Sequence, residues 1–84
     1  MKDEEVKKLL EERENLIKRL DEFLSKNKGK WFTAEELARE LGSNEFDVSE
    51  AFIELMYRSI NMILGKYECV SLGFMKPRIY RKVW

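Results

Sequence analysis

The chain has 84 residues, with 16 acidic and 16 basic side chains and a formal net charge of zero at pH 7. A chain of this length forms a single domain, and because it has no histidine and one cysteine, neither a structural zinc site nor an enzyme active site is expected. The lone cysteine, the acidic beginning and the lack of an apolar run of the ~18 residues that a membrane span needs predict a cytoplasmic protein without cofactors.

The charges are distributed unevenly along the chain. Residues 33–58 carry a net charge of −5, whereas residues 26–32 and 59–84 carry +3 and +4. Attraction to phosphate groups is therefore expected from the lysine-rich segment and from the C-terminal third of the chain. The content of 38% charged residues and the absence of glutamine also favour a thermophilic source.

The first predicted element is a long amphipathic helix over residues 3–26, where apolar side chains recur at helical spacing and no Gly or Pro interrupts. At 1.5 Å per residue it would be about 36 Å long, so its N-terminal part should project from a small domain. The projecting apolar stripe favours a homodimer formed by a helix pair, although it could also belong to the intramolecular core. The predicted dimer contacts are Val6, Leu9, Leu10, Arg13, Leu16 and Ile17.

The second helix has strong local signals at both ends. After a lysine-rich loop, residues 30–32 predict a short strand. Thr33 is a favoured N-cap residue, and Glu36 completes a capping box with it. The helix is expected over residues 34–41 and should end at Gly42, because glycine readily adopts the left-handed conformation that ends many helices.

A third helix is predicted after a short turn. Asn44, or a capping box of Asp47 and Glu50, would begin it. It would end near Ser59 or continue to Gly65. The apolar side chains expected to face the core are Val48, Ala51, Phe52, Leu55 and Met56, with Ile60 and Ile63 as further candidates.

The C-terminal third predicts a β-hairpin. Residues 67–72 and 78–84 are rich in strand formers, and residues 73–77 supply the turn. Alternation in the second strand places four side chains on one face, which mixes cations with aromatic rings. Such a face is suited to contact with nucleic acid. Alternatively, its charges only keep this side of the sheet hydrated and protect the sheet edge from aggregation. The four side chains are Arg78, Tyr80, Lys82 and Trp84.

The spacing of Ala38, Gly42 and Val48 resembles that of the helix-turn-helix in DNA-binding proteins, and the element order resembles the winged form of that superfamily over residues 16–84. Ser43 departs from the pattern, since an aliphatic residue is usual there. Phe46 is expected to fill the space instead. The supporting apolar positions are Leu37, Leu41 and Ala51.

The resemblance implies an α+β fold of three helices, a short strand and a C-terminal hairpin, with an extended N-terminal helix. The chain would be one winged-helix domain over residues 1–84. Residues 1–27 would form the long helix that mediates dimerisation. Residues 28–84 would form the helix-turn-helix and the wing, whose tip would lie near residues 73–77.

In this family the second helix of the motif enters the major groove of DNA. Here that helix carries Glu45, Asp47 and Glu50, and carboxylates cannot contact phosphates. Phosphate contacts are therefore expected from the lysine-rich loop and the wing, with limited reading of bases by the third helix. The predicted DNA contacts are Lys28, Lys30, Asn44, Ser49, Lys76, Arg78 and Lys82.

Two functions follow from this sequence. The first is a homodimeric transcriptional regulator that binds double-stranded DNA mainly through a basic wing and a lysine-rich loop. The second is a winged-helix module for protein contact, in which the acidic third helix meets a basic protein partner. The acidic charge of residues 33–58 favours the second function, and the resemblance favours the first.

Overall fold

The computed structural model of the chain describes residues 2–62 and 65–84. It is an α+β structure, as expected, with three helices and a three-stranded antiparallel sheet, an arrangement compatible with a winged helix. Ile63, a candidate core residue, lies outside the described residues. The elements are α1 (Asp3–Lys26), β1 (Phe32–Thr33), α2 (Ala34–Leu41), α3 (Glu45–Met62), β2 (Tyr67–Ser71) and β3 (Arg78–Lys82).

The sheet has the strand order β1-β3-β2, so the last strand of the chain lies in the centre. Phe32 of β1 and Cys69 of β2 both lie opposite Tyr80 of β3. The predicted hairpin is confirmed, with strands slightly shorter than expected. The first strand lies later in the chain than predicted, since it begins at Phe32 and not at Lys30.

The predicted signals at the ends of α2 are confirmed. Thr33 Oγ1 accepts a hydrogen bond from the Glu36 backbone at 3.1 Å, and Glu36 Oε1 accepts one from the Thr33 backbone at 2.9 Å. The hydrogen bonds from Thr33 hold the pKa of Glu36 below its usual value, because they stabilise the charged carboxylate. Gly42 ends the helix in the left-handed conformation, with φ of 63°.

The hydrophobic core lies between the three helices and one face of the sheet. The Phe52 ring is fully buried, with its centroid 4.8 Å from the Tyr80 ring and 5.9 Å from the Tyr67 ring. Phe52 therefore joins α3 to both strands of the hairpin. The buried apolar residues are Ile17, Leu20, Leu24, Leu37, Ala38, Leu41, Val48, Ala51, Phe52, Leu55, Tyr67 and Tyr80.

Helix α1 has the predicted bounds and is attached to α3 by ion pairs as well as by core packing. Arg13 Nη2 lies 3.3 Å from Glu54 Oε2, and Arg58 pairs with both Glu14 and Glu54. Arg13 therefore belongs to the contact between α1 and α3. Within the described residues, neither α1 nor any other helix is long and apolar enough to cross a lipid bilayer.

Candidate functional site

Three of the seven predicted DNA contacts are engaged within the fold. Asn44 Oδ1 accepts a hydrogen bond from the Asp47 backbone, and Asn44 Nδ2 donates to Asp47 Oδ2, both at 2.9 Å. Of the two predicted starts of α3, Asn44 is therefore confirmed as the N-cap, and the capping box of Asp47 and Glu50 is wrong, because α3 begins at Glu45. The Asn44 side chain, although exposed, is held at the end of its own helix.

Ser49 faces the sheet. Its hydroxyl oxygen lies 3.3 Å from the Tyr80 hydroxyl oxygen, within hydrogen-bonding distance, and its side chain is half-buried. The prediction that Ser49 points outward from α3 is therefore wrong. The orientation of the Ser49 side chain is set by its contact with Tyr80 of β3, a residue that is distant in sequence.

The prediction that Lys82 contacts DNA is also wrong. Lys82 is 6% exposed, and its Nζ donates to Asp21 Oδ1 at 3.0 Å and to Ser25 Oγ at 2.8 Å. The Tyr67 hydroxyl donates to the same Asp21 oxygen. Burial, and then this hydrogen bond to a carboxylate, raise the pKa of Tyr67 above its usual value. Tyr80 and Lys82 therefore lie on the same face of β3, and this face packs against the helices.

The four remaining predicted cations are exposed but do not form one patch. Lys28 and Lys30 lie in the loop after α1, where the Gly29 backbone donates to the Lys82 carbonyl oxygen at 2.8 Å. Lys76 and Arg78 lie at the other end of β3, which is about 13 Å away along the strand. The ion pairs among the described residues use none of these four side chains.

The outer face of α3 carries large apolar side chains. Phe46, Ile53 and Ile60 are 72%, 60% and 80% exposed, and Tyr57 on the same stripe is also exposed. They lie opposite Val48, Phe52 and Leu55, which face the core. We call this stripe, with the exposed carboxylates Glu45 and Glu50 beside it, the α3 outer face. An exposed apolar stripe of this kind is typical of a protein-contact site.

Two predictions about α3 are corrected by this arrangement. Phe46 was expected to fill the space after Gly42, and Ile60 was a candidate core residue. Phe46 lies two residues before Val48, on the opposite side of the helix. Ile60 follows Leu55 by five residues, about 140° around the helix, so it leaves the core face. Counting this phase from the core residues would have identified the outer face from the sequence.

A groove lies between α1 and the turn that joins α2 to α3. Its volume is about 680 Å³. Its apolar walls include Leu9, Leu16 and Phe46, and the acidic side chains Glu12 and Glu50 also line it. The groove therefore combines apolar surface with negative charge.

The loop that joins β2 to β3 is also exposed and apolar. Phe74 and Met75 are 92% and 89% exposed, and Leu72 is about half exposed. Lys76 and Arg78 follow these residues directly. We call residues 72–78 the hairpin tip. The predicted contacts include the charges of the tip but not its apolar side chains, although Phe and Met are unusual residues in a turn.

The six predicted dimer contacts divide between surface and core. Val6, Leu9 and Leu10 are exposed on the N-terminal part of α1, which agrees with the prediction that this part carries an exposed stripe. Ile17 is 2% exposed and belongs to the core, so its assignment to a dimer contact is wrong. Leu16 is half-buried and packs against the core.

Comparisons of the chain with protein-family models, curated proteins and solved structures find no match.

Proposed function

We propose that this chain is a winged-helix-like module for protein contact, which binds a basic amphipathic partner on the α3 outer face. The observation that carries this proposal is the exposure of Phe46, Ile53 and Ile60 in one stripe opposite the core. Burying such side chains contributes favourable free energy to association, at about 25 cal/mol per Å² of apolar surface.

The charge of the α3 outer face determines the partner class. Glu45 and Glu50 are exposed beside the apolar stripe, whereas the nearest arginine toward the helix end, Arg58, is held by Glu14 and Glu54. A helix of this charge repels the phosphates of DNA and attracts lysine and arginine side chains. A helix with one apolar face and basic flanks would satisfy both the apolar stripe and the carboxylates.

Binding of a labelled probe peptide tests this function. The probe is a basic amphipathic helix of about 20 residues built from Leu, Ala and Lys, and the control replaces Lys by Glu. Fluorescence anisotropy at ~0.1 M salt should show binding of the basic peptide, weakened about tenfold by Ile53→Ser with Ile60→Ser. The matched variant Val6→Ser should bind like the parent. Equal binding of both peptides, or an unchanged affinity of the double variant, would refute the proposal.

A second candidate function is DNA binding through the hairpin tip and the lysine-rich loop. It is favoured by the exposure of Lys28, Lys30, Lys76 and Arg78, none of which joins the ion pairs of the described residues. Binding to duplex DNA should then weaken with salt, with a log–log slope of about −3.6 if all four cations contact phosphates. Lys76→Glu with Arg78→Glu should reduce affinity for all sequences alike, and an unchanged affinity would exclude the tip.

A further inference from the structure

Phe46 lies between two depressions of the molecular surface. On one side it lines the groove between α1 and the α2–α3 turn. On the other side it lines a second depression of about 430 Å³, whose walls include Pro77 and Arg78 at the base of the hairpin tip and the carboxylates Glu35 and Glu45. The groove, Phe46 and the hairpin tip therefore form one continuous region of the molecular surface.

The hairpin tip is apolar and basic. Phe74 and Met75 are almost fully exposed, and the cations Lys76 and Arg78 follow them. Residues 69–84 contain no acidic side chain, and of the two carboxylates that line the depression beside Arg78, Glu35 pairs with Arg39. A partner for the tip needs an apolar surface for Phe74 and Met75, with carboxylates beside it.

The groove has that chemistry. Leu9 and Leu16 line it, and Glu12 and Glu50 are exposed on its walls. Two arginines also line the groove, but both are engaged within the fold. Arg13 pairs with Glu54, so its charge is compensated, whereas Arg19 donates to the neutral Leu41 carbonyl oxygen at 2.7 Å and keeps its charge. The groove is nevertheless negative, because three carboxylates, Glu12, Asp47 and Glu50, line it beside this one uncompensated cation.

We infer that a second copy of this chain is the partner, and that each hairpin tip docks in the groove of the other copy around a two-fold axis near Phe46. A two-fold interface requires one surface that is complementary to itself, with its basic and acidic halves on either side of the axis. The region centred on Phe46 has the apolar tip with Lys76 on one side and the groove with Glu12 and Glu50 on the other. Phe46 of each copy then lies at the centre of the contact, where buried aromatic residues contribute most.

This inference goes beyond the proposed function, because its partner is a second copy and its contacts are the hairpin tip and the groove. Phe46 and Glu50 belong to both surfaces, whereas Ile53 and Ile60 belong to the α3 outer face alone. The two ideas fail separately. Absence of probe-peptide binding at protein concentrations where the chain is monomeric, with a dimer at higher concentration, refutes the proposed function alone. A monomeric chain that still binds the basic peptide refutes the dimer alone.

A charge-swap experiment tests the dimer by sedimentation equilibrium. Glu50→Lys places positive charge in the groove, and Lys76→Glu places negative charge on the tip. Each variant alone should raise the dimer dissociation constant about tenfold, because like charges then meet across both halves of the interface. An equimolar mixture of the two should recover the parent affinity as a heterodimer, since each tip then meets a groove of opposite charge.

Two further variants control the experiment. Phe74→Ser should also weaken the dimer, whereas Ile60→Ser should leave it unchanged, and both positions are exposed, so folding is preserved. A parent chain that stays monomeric up to about 1 mM would overturn the inference. A mixture that associates no better than the single variants, or a dimer that Phe74→Ser leaves intact, would overturn it as well.

Discussion

Lys82 Nζ lies 3.0 Å from Asp21 Oδ1, and this contact joins the central strand to the first helix across 61 residues of sequence. Lys82 is buried, so its charge has lost most of its hydration. Without the carboxylate, the fold would contain a buried charge with no counter-ion, which is far costlier than a buried charge that is paired.

Asp21→Asn should therefore lower the free energy of unfolding by about 2–3 kcal/mol, since it leaves the Lys82 ammonium buried without a negative partner. Lys82→Met removes the charge together with its desolvation cost and should destabilise less. Glu22→Gln, at the exposed neighbouring position, is the control and should change stability by less than about 0.5 kcal/mol. Urea unfolding measures all three variants. Equal losses for Asp21→Asn and Glu22→Gln would contradict this role of the carboxylate.

The stability of the fold should depend on the ionisation of Glu14. Hydrogen bonds from Arg58 hold the pKa of this carboxyl below its usual value in the folded state. Its contribution is therefore complete above the pKa of the unfolded chain and is lost as the pH falls through the folded value. Because Glu14 is more than half exposed, solvent screening limits the contribution to a few tenths of a kcal/mol.

Comparison of the parent with Glu14→Gln at two pH values tests this dependence. The difference in the free energy of unfolding should be present at pH 7 and disappear at a pH low enough to protonate the Glu14 carboxyl in both the folded and the unfolded state. If Glu14→Gln lowers the free energy of unfolding by the same amount at both pH values, the loss does not come from the charge of Glu14.

The two glycines Gly42 and Gly65 should respond differently to alanine. At Gly42 the cost comes from the left-handed backbone alone, because a Cβ there meets nothing within 4 Å, and about 1 kcal/mol is expected. At Gly65 a Cβ would also collide with the Trp84 carbonyl oxygen, so about 2–4 kcal/mol is expected. Thermal unfolding of the two variants measures the difference. If alanine lowers the free energy of unfolding equally at Gly42 and Gly65, the space beside Gly42 is not open.

The phase of α3 can be tested by two alanine variants two residues apart. Leu55→Ala removes buried apolar atoms and should lower the free energy of unfolding by about 2–4 kcal/mol. Ile53→Ala removes exposed atoms and should change it by less than about 0.5 kcal/mol. The measurement is chemical denaturation under identical conditions. A large loss at Ile53 would mean that the α3 outer face is covered within the protomer.

Elements with local signals could be predicted from the sequence. The capping box of Thr33 and Glu36 and the glycine at position 42 define α2 within a few residues, so its bounds required no tertiary information. The hairpin followed from two runs of strand formers separated by turn residues.

The errors concern side chains whose position depends on distant residues. The alternation of side chains along β3 assigns each residue to one of two faces, but it does not show which face packs against the core. Here Asp21 of α1 supplies the counter-ion that allows Lys82 to lie on the buried face. Ser49 is a similar case, since its orientation depends on Tyr80 of β3.

An NMR titration of the amide-labelled protein with the basic amphipathic peptide tests the central claim most directly, because it locates the contact without any substitution. Chemical-shift changes should concentrate at Phe46, Glu50, Ile53 and Ile60, and an equal concentration of the acidic peptide should leave these signals unchanged. Changes confined to the hairpin tip and the lysine-rich loop, or no changes with the basic peptide, would contradict the assignment of the α3 outer face as a protein-contact surface.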